Sequence, residues 1–346
     1  MIGNSILIRI VGAIVKILIY YISICILANL ISLYSLKNSI TLAIEPFISI
    51  QKYMYFNGIR EIWQYKKECI NFNKFLWYEP KIGSCNFNNS EFNTSLNFDK
   101  YGRVSSRPNF FEKESIVVIG DSHTMGWGVN DEETFSAILE KKIDRTVFNL
   151  GVSSYGTYRE LLRLENSGVL NLVNTIIIQY CDNDLEENVA RKYSDKEKPL
   201  YDINSYKALL EASNINEYQV IRKWVMYTIF ELPFNIIQNI LKKENNYRNK
   251  NDFESHIEPL IEILKKFPSI RKKNVIIFYI NGEGVRFENY KEKKLENIKF
   301  INIETTKEDF FNIDDHLNTK GHMKIAEKIN TFLKEEAELI GRLKDH

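Results

Sequence analysis

The sequence predicts an α/β protein of three layers, in which helices cover both faces of a central parallel sheet. Short runs of β-branched residues alternate with helical segments between residues 116 and 339, and this alternation is typical of parallel sheets. An apolar segment near the N-terminus predicts one transmembrane helix before the sheet. The 346 residues are enough for one large α/β domain with additional segments.

The N-terminal segment Ile17–Tyr34 contains no charged residue, and Arg9 and Lys16 precede it. Its length as a helix is about 27 Å at roughly 1.5 Å per residue, which is close to the hydrocarbon thickness of a bilayer. Apolar residues lie on all sides of this helix, whereas a buried amphipathic helix has one apolar stripe. We therefore expect residues 1–36 to be an uncleaved anchor of a single-pass membrane protein. The preceding positive charges favour an extracytoplasmic location for the rest of the chain.

Charge and cysteine usage exclude several classes of protein. Lys and Arg (46) nearly balance Asp and Glu (45), and no basic stripe with interleaved aromatic residues is present, so no nucleic-acid partner is expected. The four cysteines form no CxxC pair and no histidine lies at metal-ligand spacing from them, so neither a metal ion nor a cofactor is predicted. Cys69 and Cys85 could pair, but two free thiols are the favoured interpretation.

Residues 37–110 are predicted to form a stalk and lead-in between the anchor and the sheet. Residues 40–75 have a mixed, helical character with several aromatic side chains. Residues 77–109 are rich in Asn, Ser and Gly and show no clear periodicity, which indicates an extended segment.

Residues 111–340 are predicted to form the catalytic domain. Its strands are predicted at Ile116–Ile119, Thr146–Leu150, Thr175–Tyr180, Asn274–Ile280 and Lys299–Ile303. Its helices are predicted at Asn130–Ile143, Thr157–Glu165, Ile257–Phe267 and Lys320–Leu339. Asn130 and Glu133 have the spacing of a capping box, which marks the start of the first helix.

A helical insertion at about residues 189–255 interrupts the alternation of strands and helices. Its segment Trp224–Leu241 is apolar apart from Glu231. Because the ends of this segment are polar and Pro233 breaks it, a helical cap or a membrane-surface helix is favoured over a second transmembrane span.

Polar loops follow the first three strands of the catalytic domain. The first strand stops at Gly120-Asp121-Ser122, and the loops after the next two strands carry Ser154 and Asn183. Ligand sites of parallel sheets lie beyond the carboxyl ends of the strands, so these side chains are expected at one edge. A serine hydroxyl there becomes a nucleophile only when a base takes its proton and fixed donors stabilise the oxyanion.

His316 is the histidine that follows acidic residues in a loop before a helix. A carboxylate beside an imidazole fixes its tautomer and supports the imidazolium that forms during proton transfer. The sequence therefore predicts Ser122 as the nucleophile and His316 as the base, with a neighbouring aspartate as the acid.

These motifs resemble those of the SGNH/GDSL hydrolases over about residues 110–338, and the resemblance implies a flavodoxin-like fold. Gly120-Asp121-Ser122 resembles the first block and implies Ser122 as the nucleophile, with its own N–H in the oxyanion hole. Asn149–Thr157 resembles the second block and implies the N–H of Ser154 as a donor, although the family usually has glycine there. Asp182-Asn183-Asp184 resembles the third block, with Cys181 in place of a glycine, and implies the Asn183 amide as a donor.

Asp314-Asp315-His316 resembles the last block of the family. The common spacing puts the acid three residues before the histidine, where this chain has Ile313. Asp314, two residues before the histidine, resembles the Asp-x-His variant of alginate-acetylation proteins and is the implied catalytic acid. Asp315 is the alternative acid.

The resemblance implies a serine ester hydrolase that acts through an acyl-serine on acyl esters, such as O-acetyl esters, of a cell-envelope glycan. The expected partners are the membrane and an acylated glycan or a small acyl ester. The first alternative is that the chain is itself an O-acyltransferase, which uses the same acyl-serine intermediate with a sugar hydroxyl as the acceptor. Its further partner would be a separate, membrane-bound O-acyltransferase. A non-catalytic assembly subunit that keeps the fold is another alternative.

The motifs depart from those of three other classes of site. Gly126-Trp127-Gly128 lacks the third glycine of a dinucleotide-binding loop. Thr124 stands where the α/β-hydrolase elbow requires glycine. A metal-dependent phosphoesterase would leave Asn183 without a role. Its ligands would be Asp121, His123, Asp182 and His316.

Overall fold

The computed structural model describes residues 2–105, 115–211, 217–242, 252–280 and 297–344. The helices are α1 (Ile2–Lys37), α2 (Phe47–Met54), α3 (Ser122–Met125), α4 (Phe135–Ile143), α5 (Thr157–Asn166), α6 (Asp184–Arg191), α7 (Ile203–Glu211), α8 (Glu217–Met226), α9 (Leu232–Lys242), α10 (Asp252–Lys265), α11 (Pro268–Arg271) and α12 (Thr319–Lys344). The strands are β1 (Ile70–Asn73), β2 (Trp77–Pro80), β3 (Gly83–Asn89), β4 (Phe92–Asp99), β5 (Gly102–Arg103), β6 (Ser115–Ile119), β7 (Val147–Asn149), β8 (Val173–Tyr180), β9 (Asn274–Tyr279) and β10 (Ile298–Asn302).

The central sheet has eight strands in the order β10-β9-β8-β6-β7-β5-β4-β3. The first five strands in this order are parallel. Successive residues of β6 point to opposite faces: Val117 packs in the layer of α5 and α10, and Val118 packs in the layer of α4 and α12. Helices therefore cover both faces, and the predicted three-layer α/β/α fold is confirmed.

The prediction of a stalk at residues 37–110 was wrong. β3 and β4 pair antiparallel, and β5 links β4 to β7 through Arg103 and Asn149, so these strands extend the central sheet. Every second residue of β4 is buried, a period of two in which Asn and Ser occupy many outward positions. Within residues 40–75, expected to be mixed and helical, only α2 and short helical turns are helical, and β1 pairs with β2. The predicted boundary at residue 110 lies outside the described residues.

Cys69 and Cys85 form a disulfide, contrary to the expectation of two free thiols. Their Cα atoms are 5.7 Å apart, and both residues are buried in the core beside β1 and β3. β1 pairs with β2 and β3 pairs with β4, so the two cysteines meet only through the tertiary structure. The spacing of the cysteines along the chain does not encode this arrangement.

α8, a π-helical turn at Tyr227–Glu231 and α9 follow one another from Glu217 to Lys242, and we call this segment the arm. Pro233 does not break the helix, contrary to expectation. A proline has no N–H, so the carbonyl four residues earlier, that of Ile229, has no α-helical donor. The hydroxyl of Tyr21 in α1 donates to this carbonyl at 2.6 Å and so replaces the missing bond.

Among the described residues, one helical stretch is long and apolar enough to cross a membrane: Ile8–Lys37 of α1, with a mean hydropathy of 2.5. The C-terminal third of α1 also packs against α2 and the arm. Its buried residues recur every three or four positions, which places them on one face of the helix. They are Cys25, Ala28, Asn29, Ser32, Ser35 and Leu36.

Candidate active site

Ser122 lies at the carboxyl end of β6, where the strand turns into α3. A Cβ atom at Gly120 would lie 2.2 Å from the Thr124 hydroxyl oxygen and 2.5 Å from Oε1 of Gln179, so this close turn requires glycine. The Asp121 carboxylate accepts a hydrogen bond from the N–H of His123 at 2.9 Å and caps α3. The turn therefore fixes the Ser122 hydroxyl at the edge of the sheet.

Ser122, His316 and Asp314 form a continuous chain of contacts. The Ser122 Oγ lies 2.7 Å from Nε2 of His316, and Nδ1 of His316 lies 2.5 Å from Oδ1 of Asp314. Asp315 stands between the acid and the histidine with a φ of +63°, and its carboxylate points to Lys52 at 2.6 Å. Asp314 is thus the carboxylate that contacts the imidazole, and Asp315 is not. This arrangement suits transfer of the serine proton to the imidazole.

Three further side chains contact the second oxygen of Asp314, and the sequence analysis did not identify them. The Tyr55 hydroxyl and Nε1 of Trp127 donate to Oδ2, the latter at 3.2 Å, and Nε of Arg60 lies 3.1 Å from it. Burial alone would raise the pKa of Asp314, but the hydrogen bond and charge of His316, then the charge of Arg60 and the bond from Tyr55, hold it below its usual range. Asp314 is therefore ionised.

Tyr55 stays a neutral donor because burial, and next the charge of Asp314, raise the pKa of its hydroxyl far above its ordinary value. Glu91 fixes the loop from outside: its carboxylate accepts the N–H of Ile313 at 2.7 Å and that of Asp314 at 2.9 Å. Tyr55, Arg60 and Glu91 all come from the segment predicted to be a stalk. Their only signal in the sequence was an aromatic and charged composition.

His123 follows Ser122, the predicted nucleophile, and its ring centroid lies 4.9 Å from that of His316. Burial lowers the pKa of His123 to about 4, and the charge of His316 adds to this effect while Asp121 opposes it. His123 is therefore neutral at neutral pH and does not add a second positive charge beside the base.

Ser154 lies in the loop after β7 with a φ of +61°, in the left-handed region that usually favours glycine. Its hydroxyl accepts a hydrogen bond from Gln64 at 3.1 Å, and its carbonyl accepts one from Arg159 at 2.5 Å. Within the described part of the chain, the N–H groups of Ser154 and Ser122 donate no backbone hydrogen bond. Both remain the predicted oxyanion donors.

Asn183 lies after β8, beside the turn that carries the nucleophile. Its amide nitrogen is 3.4 Å from Oδ2 of Asp121, and the Cys181 sulfur lies 2.6 Å from its amide oxygen and 3.0 Å from the same Asp121 oxygen. Cys181 thus links Asn183 to Asp121, the residue before Ser122.

Asp184 is buried below this cluster. It accepts hydrogen bonds from the Cys181 N–H and from the Thr157 hydroxyl, each at 2.8 Å. Burial, and next the charge of Asp121, raise the pKa of Asp184 to about 8, so this carboxyl keeps a proton at neutral pH.

The ligand set considered for a metal-dependent phosphoesterase does not assemble. The carboxylate of Asp182 accepts a hydrogen bond from the Tyr279 hydroxyl, whereas that of Asp121 contacts Cys181. In the ranges that the structure describes, no group of three or more His, Cys, Asp or Glu side chains has an arrangement that could hold a metal ion.

No protein-family model matches this sequence, and no curated protein matches it. Several solved structures are similar to the chain. A lipolytic protein of the G-D-S-L family from Desulfitobacterium hafniense has 14% identity and a TM-score of 0.36, with 63% of this chain and 99% of that chain covered. One from Veillonella parvula has 16% identity and a TM-score of 0.31, with coverage of 62% and 95%. An acetyl xylan esterase from Butyrivibrio proteoclasticus has 12% identity and a TM-score of 0.37, with coverage of 71% and 67%.

Proposed function

We propose that the chain is a serine ester hydrolase that removes acyl groups, such as O-acetyl groups, from a cell-envelope glycan. The observation that carries this proposal is the 2.7 Å contact between the Ser122 hydroxyl and Nε2 of His316, continued to Asp314 at 2.5 Å. A nucleophile, a base and a buried carboxylate in this order are the parts that acyl transfer through serine requires.

In the proposed reaction, His316 takes the proton of Ser122 as its Oγ attacks the ester carbonyl carbon. The N–H groups of Ser122 and Ser154 and the amide of Asn183 stabilise the oxyanion. The bond between the carbonyl carbon and the sugar oxygen breaks, and the sugar leaves as an alcohol with the proton from His316. The acyl group stays on Ser122. Water, deprotonated by His316, then attacks the acyl carbon, the bond between this carbon and the Ser122 Oγ breaks, and the carboxylic acid leaves. Ser122 takes the proton back from His316, which restores the enzyme.

A fluorophosphonate probe tests the nucleophile, because it phosphonylates activated serines. We expect labelling of the wild type and none of Ser122→Ala. Ser84→Ala is the matched control, since Ser84 is an exposed serine that pairs with Ser95 in the edge strands. Labelling that persists in Ser122→Ala would overturn the assignment, and a wild type that resists the probe would favour a non-catalytic subunit.

We further propose that the catalytic domain is extracytoplasmic and that α1 anchors it. Arg9 and Lys16 before the apolar stretch favour this orientation. The Cys69–Cys85 disulfide supports it, because structural disulfides persist in oxidising compartments. Protease treatment of intact cells without an outer envelope should degrade the domain, whereas protection until lysis would mean a cytoplasmic location.

Hydrolysis and transfer share the acyl-serine and differ only in the acceptor. A substrate with a labelled acetyl group distinguishes them: release of labelled acetate supports hydrolysis. Accumulation of label on an added glycan, with little acetate, would instead identify an O-acyltransferase.

A further inference from the structure

The arm lies along α1, the helix that is apolar enough to cross a membrane. The Tyr21 hydroxyl donates to the Ile229 carbonyl at 2.6 Å, and the Cys25 thiol contacts the Thr228 carbonyl at 3.9 Å. These contacts fasten the arm to α1 at its π-helical turn.

The contact point lies within the apolar part of α1 and not at its end. Tyr21 is five residues after Lys16, the last charge before the apolar stretch, and sixteen residues before Lys37, the next one. At roughly 1.5 Å per residue these separations are about 8 Å and 24 Å, and the charge-free stretch between the lysines is about 30 Å long, the thickness of the hydrocarbon layer. A membrane crossed by this stretch therefore extends to the level of the arm.

The outward face of the arm is apolar. Met226, Phe230, Phe234 and Ile237 follow one another at spacings of four, four and three residues, and the two phenylalanines are 64% and 60% exposed. The opposite face of the arm, which includes Trp224, packs on α2 and α1. The arm is thus amphipathic, and no described residue covers its apolar stripe.

The charges of the arm lie beside the stripe, at its start or at the two ends of the arm, Glu217 and Lys242. Arg222 and Lys223 are exposed in α8, and Glu231 follows Phe230 by about 100° around the helix. An apolar stripe of this kind suits contact with lipid acyl chains, and long cationic side chains beside it can extend toward water.

We propose that the arm is embedded in the same bilayer as α1, with Met226, Phe230, Phe234 and Ile237 in contact with lipid acyl chains. The arm and the end of α1 form one cluster with Ile313, the residue before Asp314. The loop of the catalytic acid therefore rests on membrane-embedded helices, and the enzyme acts on esters presented at the bilayer surface. This inference rests on α1 crossing a membrane, and the substrate clause rests on the proposed function.

Photo-cross-linking of the full chain in phosphatidylcholine vesicles tests the inference without any catalytic readout. A benzophenone amino acid replaces Phe230 or Phe234, and the matched aromatic controls are Tyr20 on α1, 69% exposed, and Tyr193, 87% exposed beyond α6. After irradiation, we expect positions 230 and 234 to attach to lipid at yields within about threefold of position 20, as shared contact with acyl chains requires. Position 193 should attach to none.

Lipid yields at positions 230 and 234 as low as at position 193 would overturn the inference. A cross-linked dimer would identify a second copy as the occupant and would also overturn it, as would absence of lipid attachment at position 20. The Ser122→Ala protein should give the same cross-linking pattern. A failure of the proposed hydrolase chemistry can therefore be distinguished from a failure of this inference. Phe234→Asp should keep its turnover of a water-soluble ester but lose at least tenfold on an ester carried by a vesicle lipid.

Discussion

Asp314→Asn is expected to reverse the tautomer of His316. In the wild type, Oδ2 of Asp314 faces Tyr55, Arg60 and Trp127, while Oδ1 faces Nδ1 of His316 at 2.5 Å. Asparagine has a single amide oxygen, which stays with those three groups, so its NH2 group faces Nδ1. Nδ1 must then accept, and the imidazole proton moves to Nε2, the atom that should take the Ser122 proton.

Loss of the correct tautomer is expected to lower kcat on the order of 10³- to 10⁴-fold. At about 1.36 kcal/mol per tenfold, this is about 4 to 5.5 kcal/mol of transition-state stabilisation. The KM of a small acyl ester should change little, because Asp314 is only 1% exposed. Hydrolysis of p-nitrophenyl acetate by the full chain in detergent measures both constants, and a melting curve verifies that the variant folds.

Asp315→Asn is the matched control, because it makes the same chemical change one residue later. The Asp315 carboxylate pairs only with the exposed Lys52 among the contacts observed, and such surface pairs contribute at most about 1 kcal/mol. Its kcat should stay within about twofold of the wild type. Equal losses of kcat in the two variants would refute the tautomer argument.

Three further variants test the surroundings of the site. Tyr55→Phe removes one donor to Asp314 and should lower kcat by about tenfold, since a hydrogen bond to a charged group is worth about 1.5–3 kcal/mol. Asn183→Ala should lower kcat by about 10²- to 10³-fold, as loss of one oxyanion donor does, with little change in melting temperature. Because the pKa of Asp184 is raised to about 8 in the folded state, this carboxyl ionises at a lower pH in the unfolded state, at about pH 4. The free energy of unfolding should therefore fall as the pH rises from about 4 to about 8. Urea unfolding should show up to about 1.4 kcal/mol of loss per pH unit from this group, and Asp184→Asn should reduce that slope.

Each of these expectations has an outcome that contradicts it. Tyr53→Phe is the control for Tyr55→Phe, since Tyr53 stacks on Tyr227 away from Asp314, and equal losses would mean a general packing effect. A large drop in the melting temperature of Asn183→Ala with unchanged kcat would mean a structural role only. An unchanged pH slope in Asp184→Asn would locate the buried proton elsewhere.

The parallel strands were predictable because both of their faces are buried. β6, β8 and β9 each contain an uninterrupted run of three or four Ile and Val residues, and their bounds differ from the predicted ones by at most two residues. The antiparallel strands β3 and β4 were missed because at most every second residue is apolar and Asn occupies many of the other positions.

The residues of the candidate site also divide into those that the sequence predicts and those that it does not. Ser122 follows the end of β6, and Asp314 and His316 follow β10, so their approach at one edge of the sheet could be inferred from the strand ends. The contacts of Tyr55 and Arg60 with Asp314 join segments more than 250 residues apart. No local pattern encodes such contacts, because they depend on how α2 packs against α1 and the arm.

The bond from Tyr21 to Ile229 makes the long apolar helix α1 an integral part of the folded protein. Ala28 and Leu36 of α1 also share a cluster with Ile313, next to the catalytic acid. Proteolytic release of the domain at residue 37 would expose this cluster and leave the Ile229 carbonyl without its donor. A chain cut at this point should therefore aggregate or unfold at a lower temperature, so the first helix is expected to contribute to the stability of the fold as well as to the proposed membrane anchoring.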